Sequence, residues 1–131
     1  MDRSPQLATE FAPHFRSRRC DPDSEPQLMD AVYELRFNVY CRECAFLPAA
    51  DYPDGREKDA YDRDASHFCA FNLRGELVGY VRLVYRDHER GLPFESHCTQ
   101  LYEGVEPPPS EPSAEISRLM VRGDYRRRRG D

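Results

Sequence analysis

The chain has 131 residues, of which 39% are hydrophobic and 33% are charged, and its net charge is −5 at neutral pH. This length fits one domain, and the acidic balance excludes a general nucleic-acid-binding protein. No apolar run approaches the roughly 20 residues of a membrane span, and no signal peptide is visible, so the sequence predicts a cytoplasmic protein without a membrane span.

The first predicted elements are a short strand and an amphipathic helix. Residues 14–20 favour the strand, and Ser24 with Gln27 three positions later predicts a capped helix start. One apolar helix face then continues to about Cys44. Its residues recur at spacings of four, three and four: Leu28, Val32, Leu35 and Val39.

A long loop at residues 46–64 follows, because this stretch is rich in Pro, Gly and Asp. Loops of this length in compact domains are often binding loops. Its second half crowds four carboxylates into eight positions: Glu57, Asp59, Asp62 and Asp64. Crowded carboxylates need cations nearby, and Arg36, Arg82 and Arg118 are the natural partners. Either a polar substrate cleft or a salt-bridge network that pins the loop to the sheet satisfies this need.

Two strands at residues 67–73 and 77–85, joined by a turn at 74–76, predict an antiparallel hairpin. Gly79 indicates a bulge or a close backbone approach in the second of these strands.

A proline-rich connection at 86–113, with a short helical turn at its "LPFESHC", leads to a third core strand at 114–121. Ile116 and Leu119 do not share a face of a regular strand. We therefore expect this strand to bend or to be buried on both sides.

The cysteines predict reduced thiols. They are odd in number, and their spacing shows no disulfide framework. The five are Cys20, Cys41, Cys44, Cys69 and Cys98. Cys41 and Cys44 form a C-x-x-C, but no second pair completes a four-cysteine zinc site. A metal or redox function is therefore a minor alternative, and no metal is expected.

Four segments carry a resemblance to a known family: "LRFNVYCRE", "EKDAYD", "GYVRLV" and "AEISRLMV". They follow the order R-x-x-x-[FY], E-x-D-x-Y-D, G-x-x-R-[LI] and E-[LI]-S-R-[FL]-x-[VI]. This order resembles the autoinducer (acyl-homoserine-lactone) synthases and their N-acyl amino acid synthase relatives. The phrases "YPDGRE", "HC" and "AEISRL" are most similar to the acyltransferases of the PEP-CTERM/exosortase system. The resemblance covers roughly residues 28–130.

The resemblance implies an α/β (α+β) GNAT acyltransferase fold, with a mainly antiparallel central sheet flanked by helices. Residues 1–12 are then a flexible leader, and 13–131 are the N-terminal part of a truncated GNAT-like domain. Such a domain is expected to be inactive alone. It would also expose a sheet edge, which favours a homodimer.

The implied reaction moves a fatty acyl group from acyl carrier protein or acyl-CoA to the amine of an amino acid or related molecule. The chain has no Trp, and Tyr40 stands where autoinducer synthases usually carry Phe, which favours the amino acid-acylating branch. The implied partners are a small-molecule amine and acyl carrier protein. Two alternatives stay open: a small-molecule GNAT acetyltransferase that uses acetyl-CoA, and a non-catalytic binding module of the same fold.

The catalytic candidates are Glu115 and Arg118. A carboxylate on the central strand can accept the proton that the attacking ammonium group must lose, and a backbone N–H of that strand can polarise the thioester carbonyl. The alternative for Glu115 is an ion pair with Arg118 or Arg82. His67 is more often structural than catalytic. The substrate-binding candidates are Arg36, Tyr40, Glu57, Asp59, Asp62, Arg82 and Ser117.

The terminal "VRGDYRRRRGD" resembles the start of the GNAT phosphate-binding loop. Glycine lets the backbone approach a pyrophosphate closely, and arginines add charge and bidentate contacts. The alternative is a solvated basic tail. The donor-binding candidates are Val121, Arg126, Arg127, Arg128, Arg129 and Gly130.

Overall fold

The computed structural model describes residues 14–86, 91–97 and 113–127. Within these ranges, four antiparallel strands form one sheet in the order β1-β2-β3-β4. The strands are β1 (Phe15–Cys20), β2 (Ser66–Asn72), β3 (Leu77–Tyr85) and β4 (Ala114–Val121). The predicted α+β class with an antiparallel sheet is confirmed. The leader at 1–12 lies outside the described residues.

Helix α1 (Pro26–Phe37) covers one face of the sheet. Apolar side chains of α1 and of its continuation meet those of the strands, and this contact forms the hydrophobic core. The core residues are Cys20, Met29, Val32, Leu35, Val39, Cys69, Tyr80 and Met120. The predicted apolar face of the helix therefore lies against the sheet.

The predicted capping box at the start of this helix is wrong. Glu25 is the N-cap residue and makes no side-chain cap hydrogen bond, and Pro26 occupies the first turn. The Ser24 hydroxyl instead donates to Asp21 Oδ2 at 3.0 Å. Proline fixes a helical φ and lacks an N–H, so the helix can start without the capping oxygen that Ser24 would have supplied.

The helix continues beyond Phe37 as a π-helical segment at Asn38–Glu43, where the Cys44 N–H donates to the Val39 carbonyl at 2.9 Å. The predicted helical extent to about Cys44 is thus confirmed, with a wider final turn. This wider turn buries both Val39 and Cys41.

Strands β3 and β4 have the predicted bounds, whereas β2 begins and ends one residue earlier than predicted. Asn72 ends β2 because its side-chain oxygen accepts the N–H groups of Arg74 and Glu76. The register of the β2–β3 pair shifts between Ala70 and Phe71, next to the Ala70–Gly79 pair, as the position of Gly79 predicts.

Strand β4 contains a second irregularity, a register shift opposite Tyr80 and Arg82. Arg118 lies in this shift with φ 56°, in the left-handed region that non-glycine residues rarely adopt. Of the two expected alternatives, a bend or burial on both sides, the strand has the bend. Ile116 is 70% exposed and Leu119 is 68% exposed.

A short helix, α2 (Pro93–His97), occurs where a helical turn is predicted between β3 and β4. The long loop at 46–64 is also confirmed. It carries two 3₁₀ turns, at Ala49–Asp51 and Asp62–Asp64. The second of these turns leads directly into β2.

Candidate functional site

Three arginines from different elements converge on the face of the sheet that α1 covers. Arg36 comes from α1, Arg82 from β3 and Arg118 from β4. Their partners are the loop carboxylates Glu57, Asp59 and Asp62. We call these six residues the ion network.

Arg36 binds two carboxylates in the interior. Its Nε and Nη2 each donate to Glu57 at 3.0 Å, one to each carboxylate oxygen, and its Nη1 donates to Asp62 Oδ1 at 2.5 Å. Arg36 and Glu57 have no exposed surface. Because the Glu57 N–H also donates to the Tyr33 carbonyl at 3.0 Å, the loop is fixed to α1.

Arg82 lies beside this pair and is also fully buried. Its Nη1 donates to Asp59 Oδ1 at 2.6 Å and to Asp62 Oδ1 at 3.0 Å. Its Nε and Nη2 both donate to the hydroxyl of Ser117, which faces it in the β3–β4 register. Ser117 therefore positions Arg82 and acts as a hydrogen-bond acceptor.

Arg118 completes the ion network at its outer end. Its Nε donates to Glu57 Oε1 at 2.7 Å, and its Nη2 donates to Asp59 Oδ2 at 3.4 Å. Successive residues of a regular strand point to opposite faces. Here the left-handed backbone of Arg118 allows Ser117 and Arg118 to reach the same network. This conformation costs about 1–2 kcal/mol for a non-glycine residue.

The buried residues of the ion network stay charged because each lies beside groups of opposite charge. Burial by itself lowers the pKa of Arg36 and raises the pKa of Glu57 and Asp62, because it disfavours the charged forms. The hydrogen bonds and charges of their partners outweigh burial. The pKa of Arg36 ends above its ordinary value, and those of Glu57 and Asp62 end below theirs.

Tyrosine rings surround the guanidinium groups. Tyr33 and Tyr80 lie 5.4 and 5.9 Å from the guanidinium carbon of Arg36, measured to the ring centroids. Tyr61 lies 5.9 Å from that of Arg82, and Tyr40 lies 5.1 Å from that of Arg118. These cation–π contacts favour the charged arginines and exclude water from one side of them. Tyr40, a predicted site residue, thus joins the site through Arg118.

His67 is buried under the ion network and is held at both ring nitrogens. Nε2 lies 2.9 Å from the Asp62 carbonyl oxygen, and Nδ1 lies 2.5 Å from the Tyr80 hydroxyl. Only a protonated Nε2 can bond to a carbonyl, so a neutral His67 carries its proton there and accepts from Tyr80 at Nδ1. The structural role expected for His67 fits this position.

The stability of the protein should fall in two steps as the pH is lowered. Burial first, and the charges of Arg36 and Arg82, lower the pKa of His67 below its ordinary 6.5. Below pH 6.5 the unfolded chain therefore takes up a proton that the folded chain refuses, and stability decreases. The lowered pKa values of Glu57 and Asp62 add a second loss, below their ordinary 4.5 and 3.8.

Thermal melts at half-unit pH intervals from 8 to 3 test this expectation. The melting temperature should begin to fall near pH 6.5 in the unchanged protein, and in His67→Gln it should stay level until the carboxylates titrate. A constant melting temperature between pH 7 and 5 in the unchanged protein would contradict the assignment of a neutral buried His67.

Glu115 lies outside the ion network, on the same strand as Ser117 and Arg118. Its Oε1 accepts the N–H of Phe94 at 3.0 Å, at the start of α2. The guanidinium groups of Arg82 and Arg118 pair with the loop carboxylates. Glu115 is only partly buried, so its carboxylate can contact both α2 and solvent.

The predicted donor-binding segment is described only in part. Val121 ends β4, and Arg126 and Arg127 follow, whereas Arg128, Arg129 and Gly130 lie outside the described residues. Arg126 forms an ion pair with Glu43 at the end of the π-helical segment. This partner could not be predicted from the sequence, because nothing in a chain with so many carboxylates selects Glu43.

Arg122, which was not predicted as a site residue, makes a bidentate contact with Asp124 at 2.7 and 3.0 Å. It also lines a cavity of about 410 Å³. The lining residues are Ala31, Glu34, Leu35, Asn38, Arg42, Glu43, Leu77 and Arg122. This mixed-charge cavity lies between α1, the first residue of β3 and the residue that follows β4.

The thiols contribute no metal cluster in the part of the chain that the structure describes. No group of three or more His, Cys, Asp or Glu side chains is placed there to hold a metal ion. Burial raises the pKa of the Cys41 thiol, and Cys44 is only partly buried. A raised thiol pKa makes Cys41 a poor nucleophile at neutral pH.

Comparison with known protein families matches residues 35–131 to the acetyltransferase (GNAT) domain. The match spans most of the chain and every residue of the ion network, and the chain belongs to this family. No curated protein and no solved structure matches the chain. Within residues 14–86, 91–97 and 113–127, no helix is long and apolar enough to cross a membrane.

The family defines a general class of chemistry. GNAT domains support acyl or acetyl transfer, and GNAT enzymes use acyl-CoA as the donor. The donor and the acceptor of this chain are not defined by the family alone.

Proposed function

We propose that the protein is an N-acyltransferase of the autoinducer synthase-like type, and that its acceptor is the amine of an amino acid or related molecule. The observation that carries the proposal is the convergence of four separate sequence segments on one ion network. Each segment contributes the polar residues that its family pattern specifies. These residues are Arg36, Glu57, Asp59, Asp62, Arg82, Ser117 and Arg118.

The ion network can recognise a polar acceptor because its outer end reaches solvent while its inner part is fixed. The side chains of Arg118 and Asp59 are 19% and 26% exposed, whereas those of Arg36 and Arg82 are fully buried. A buried, mutually paired inner layer holds the outer pair in a fixed geometry, which lowers the entropy cost of binding a ligand. A simple salt-bridge network would not need an open end.

Glu115 supplies the proton acceptor. The ammonium group of the acceptor transfers a proton to the Glu115 carboxylate, directly or through water, and becomes a neutral nucleophile. The amine nitrogen then forms a bond to the thioester carbonyl carbon, and the carbon–sulfur bond breaks. The thiolate leaves with the electron pair and takes up the second proton of the nitrogen. No covalent enzyme intermediate is needed.

The donor is a fatty acyl thioester of CoA or of acyl carrier protein. Arg122, Arg126 and Arg127 follow β4 and offer positive charge to its phosphates. Asp124 and Glu43 now neutralise Arg122 and Arg126, so a phosphate would have to compete with these carboxylates. Phosphate carries more charge than a carboxylate and can accept bidentate contacts from arginine.

Product analysis by mass spectrometry tests the proposal. The chain is incubated with mixed amino acids and a matched series of thioesters from C2 to C16, on CoA and on acyl carrier protein. N-acyl amino acids with long chains support the proposal, and they would overturn the expectation that residues 13–131 are inactive alone. Acetylated product alone would indicate a small-molecule acetyltransferase, and thioester binding by a folded chain without product would indicate a binding module.

A further inference from the structure

At the outer end of the ion network, one donor atom and one acceptor atom have spare hydrogen-bonding capacity toward the described residues. Arg118 Nη1 donates no hydrogen bond to the described residues, although Nε and Nη2 of the same guanidinium do. Among the described residues, Asp59 Oδ2 accepts only the 3.4 Å contact from Arg118, whereas Oδ1 accepts from both Arg82 and the Tyr61 N–H. A cationic donor and an anionic acceptor with spare capacity therefore lie side by side.

The charge balance of the network selects the kind of ligand that can use this capacity. Three arginines and three carboxylates carry equal and opposite formal charge, and most of them are buried. A ligand with a net charge would leave one unpaired charge in a region of low dielectric, and an unpaired buried charge costs free energy. A neutral ligand that carries one positive and one negative group on adjacent atoms avoids this cost.

From these observations, and resting on the proposed function, we propose that Arg118 and Asp59 bind the α-carboxylate and the α-ammonium group of the acceptor amino acid. The carboxylate accepts from Nη1 of Arg118, and the ammonium donates to Oδ2 of Asp59. The four charged groups then alternate in sign around a square, so the Arg118–Asp59 contact need not break. A simple amine can bind only Asp59, and a simple carboxylic acid can bind only Arg118.

Arg118 is held in place for this role before any ligand binds. Its Nε is fixed by Glu57 at 2.7 Å, and the Tyr40 ring lies 5.1 Å from its guanidinium carbon. The left-handed backbone at Arg118 orients the side chain toward the network. Residues in such rare conformations concentrate at functional sites. Arg118 and Asp59 are thus specificity-determining residues for the acceptor.

Ligand-observed NMR without an acyl donor tests this subsite directly. The probes are leucine and tyrosine, each compared with its decarboxylated amine, 3-methylbutylamine or tyramine, and with its des-amino acid. We expect the unchanged protein to bind each amino acid at least about tenfold more tightly than either analogue, because a charge-assisted pair is lost in each. Equal affinity for tyrosine and tyramine, and for leucine and its amine, would overturn the proposal.

Three variants test which residue causes the preference for amino acids over each analogue. Arg118→Gln should remove the discrimination against the amine, Asp59→Asn should remove the discrimination against the des-amino acid, and Arg63→Gln should change neither. Arg63 is exposed and outside the network. If the two network variants fail to fold, the analogue series on the unchanged protein still decides the question.

The same ligands separate this inference from the proposed function. Selective binding of amino acids without any N-acyl product would support the subsite and overturn the proposed reaction. If tyramine were acylated at the same rate as tyrosine, and at equally low substrate concentrations, the proposed reaction would be supported and the proposed subsite would be overturned.

Discussion

Replacement of Arg36 by Met should lower the free energy of unfolding by about 3–5 kcal/mol, because it leaves two buried carboxylates without their main partner. Glu57 and Asp62 together accept all three hydrogen bonds that Arg36 donates in the network, and neither carboxylate can reach solvent freely. Met keeps the length and the apolar contacts of the side chain. Urea unfolding followed by circular dichroism measures the change.

The matched control for this variant is Arg63→Met, which changes the same residue type on the surface next to Asp62. We expect an effect within about 0.5 kcal/mol for this exposed position. A loss below about 1 kcal/mol in Arg36→Met would mean that Arg82 and Arg118 hold the carboxylates without Arg36. Arg36 would then be dispensable for the stability of the buried network.

The second large effect concerns catalysis. Glu115→Gln should reduce kcat by about 10²–10⁴-fold, because an amide cannot accept the proton that a carboxylate base takes. The Gln side-chain oxygen can still accept the Phe94 N–H, so the contact with α2 is preserved. The melting temperature should therefore stay close to that of the unchanged protein.

The surface variant Asp30→Asn removes a carboxylate from α1 that contacts only Arg56 among the described ion pairs, at 3.7 Å, and should leave kcat unchanged. An unchanged kcat in Glu115→Gln, together with a lower melting temperature, would assign Glu115 to the support of α2 alone. An equal loss of activity in both variants would indicate a general effect of charge.

The sequence was sufficient to predict most of the fold. The turn at 74–76 and the proline-rich connection at 86–113 gave the bounds of β3 and the start of β4, and the apolar spacing in the first half gave the face of α1. The prediction of a capping box was wrong because the Ser24 hydroxyl bonds to Asp21 instead. A local sequence pattern does not show which of these two interactions is more stable. The π-helical turn could not be predicted, because its hydrogen-bond shift depends on packing against the sheet.

The membership of the candidate site was also predictable, but its geometry was not. Charge complementarity placed Arg36, Arg82 and Arg118 opposite the loop carboxylates, and the structure pairs each of them with at least one. A regular strand would have put Ser117 and Arg118 on opposite faces. Only the positive φ of Arg118 brings both to the network, and no sequence pattern signals a left-handed arginine.

The His67–Tyr80 contact was not predicted, although part of it could have been. Tyr80 and Arg82 lie two residues apart on β3 and so share a face, which places Tyr80 near the network. That signal was present in the sequence. The tautomer of His67, however, depends on the Asp62 carbonyl, whose position is set by the 3₁₀ turn before β2.

The measurement that tests the account most directly is a double-label product analysis. The chain is incubated with an acyl thioester labelled with ¹³C at the carbonyl and an amino acid labelled with ¹⁵N at the α-amine, and the products are fragmented in a mass spectrometer. The account predicts one product in which the two labels are directly bonded, formed by the unchanged protein and strongly reduced in Glu115→Gln. Release of labelled free acid without a ¹³C–¹⁵N product, by a chain shown to be folded, would contradict it.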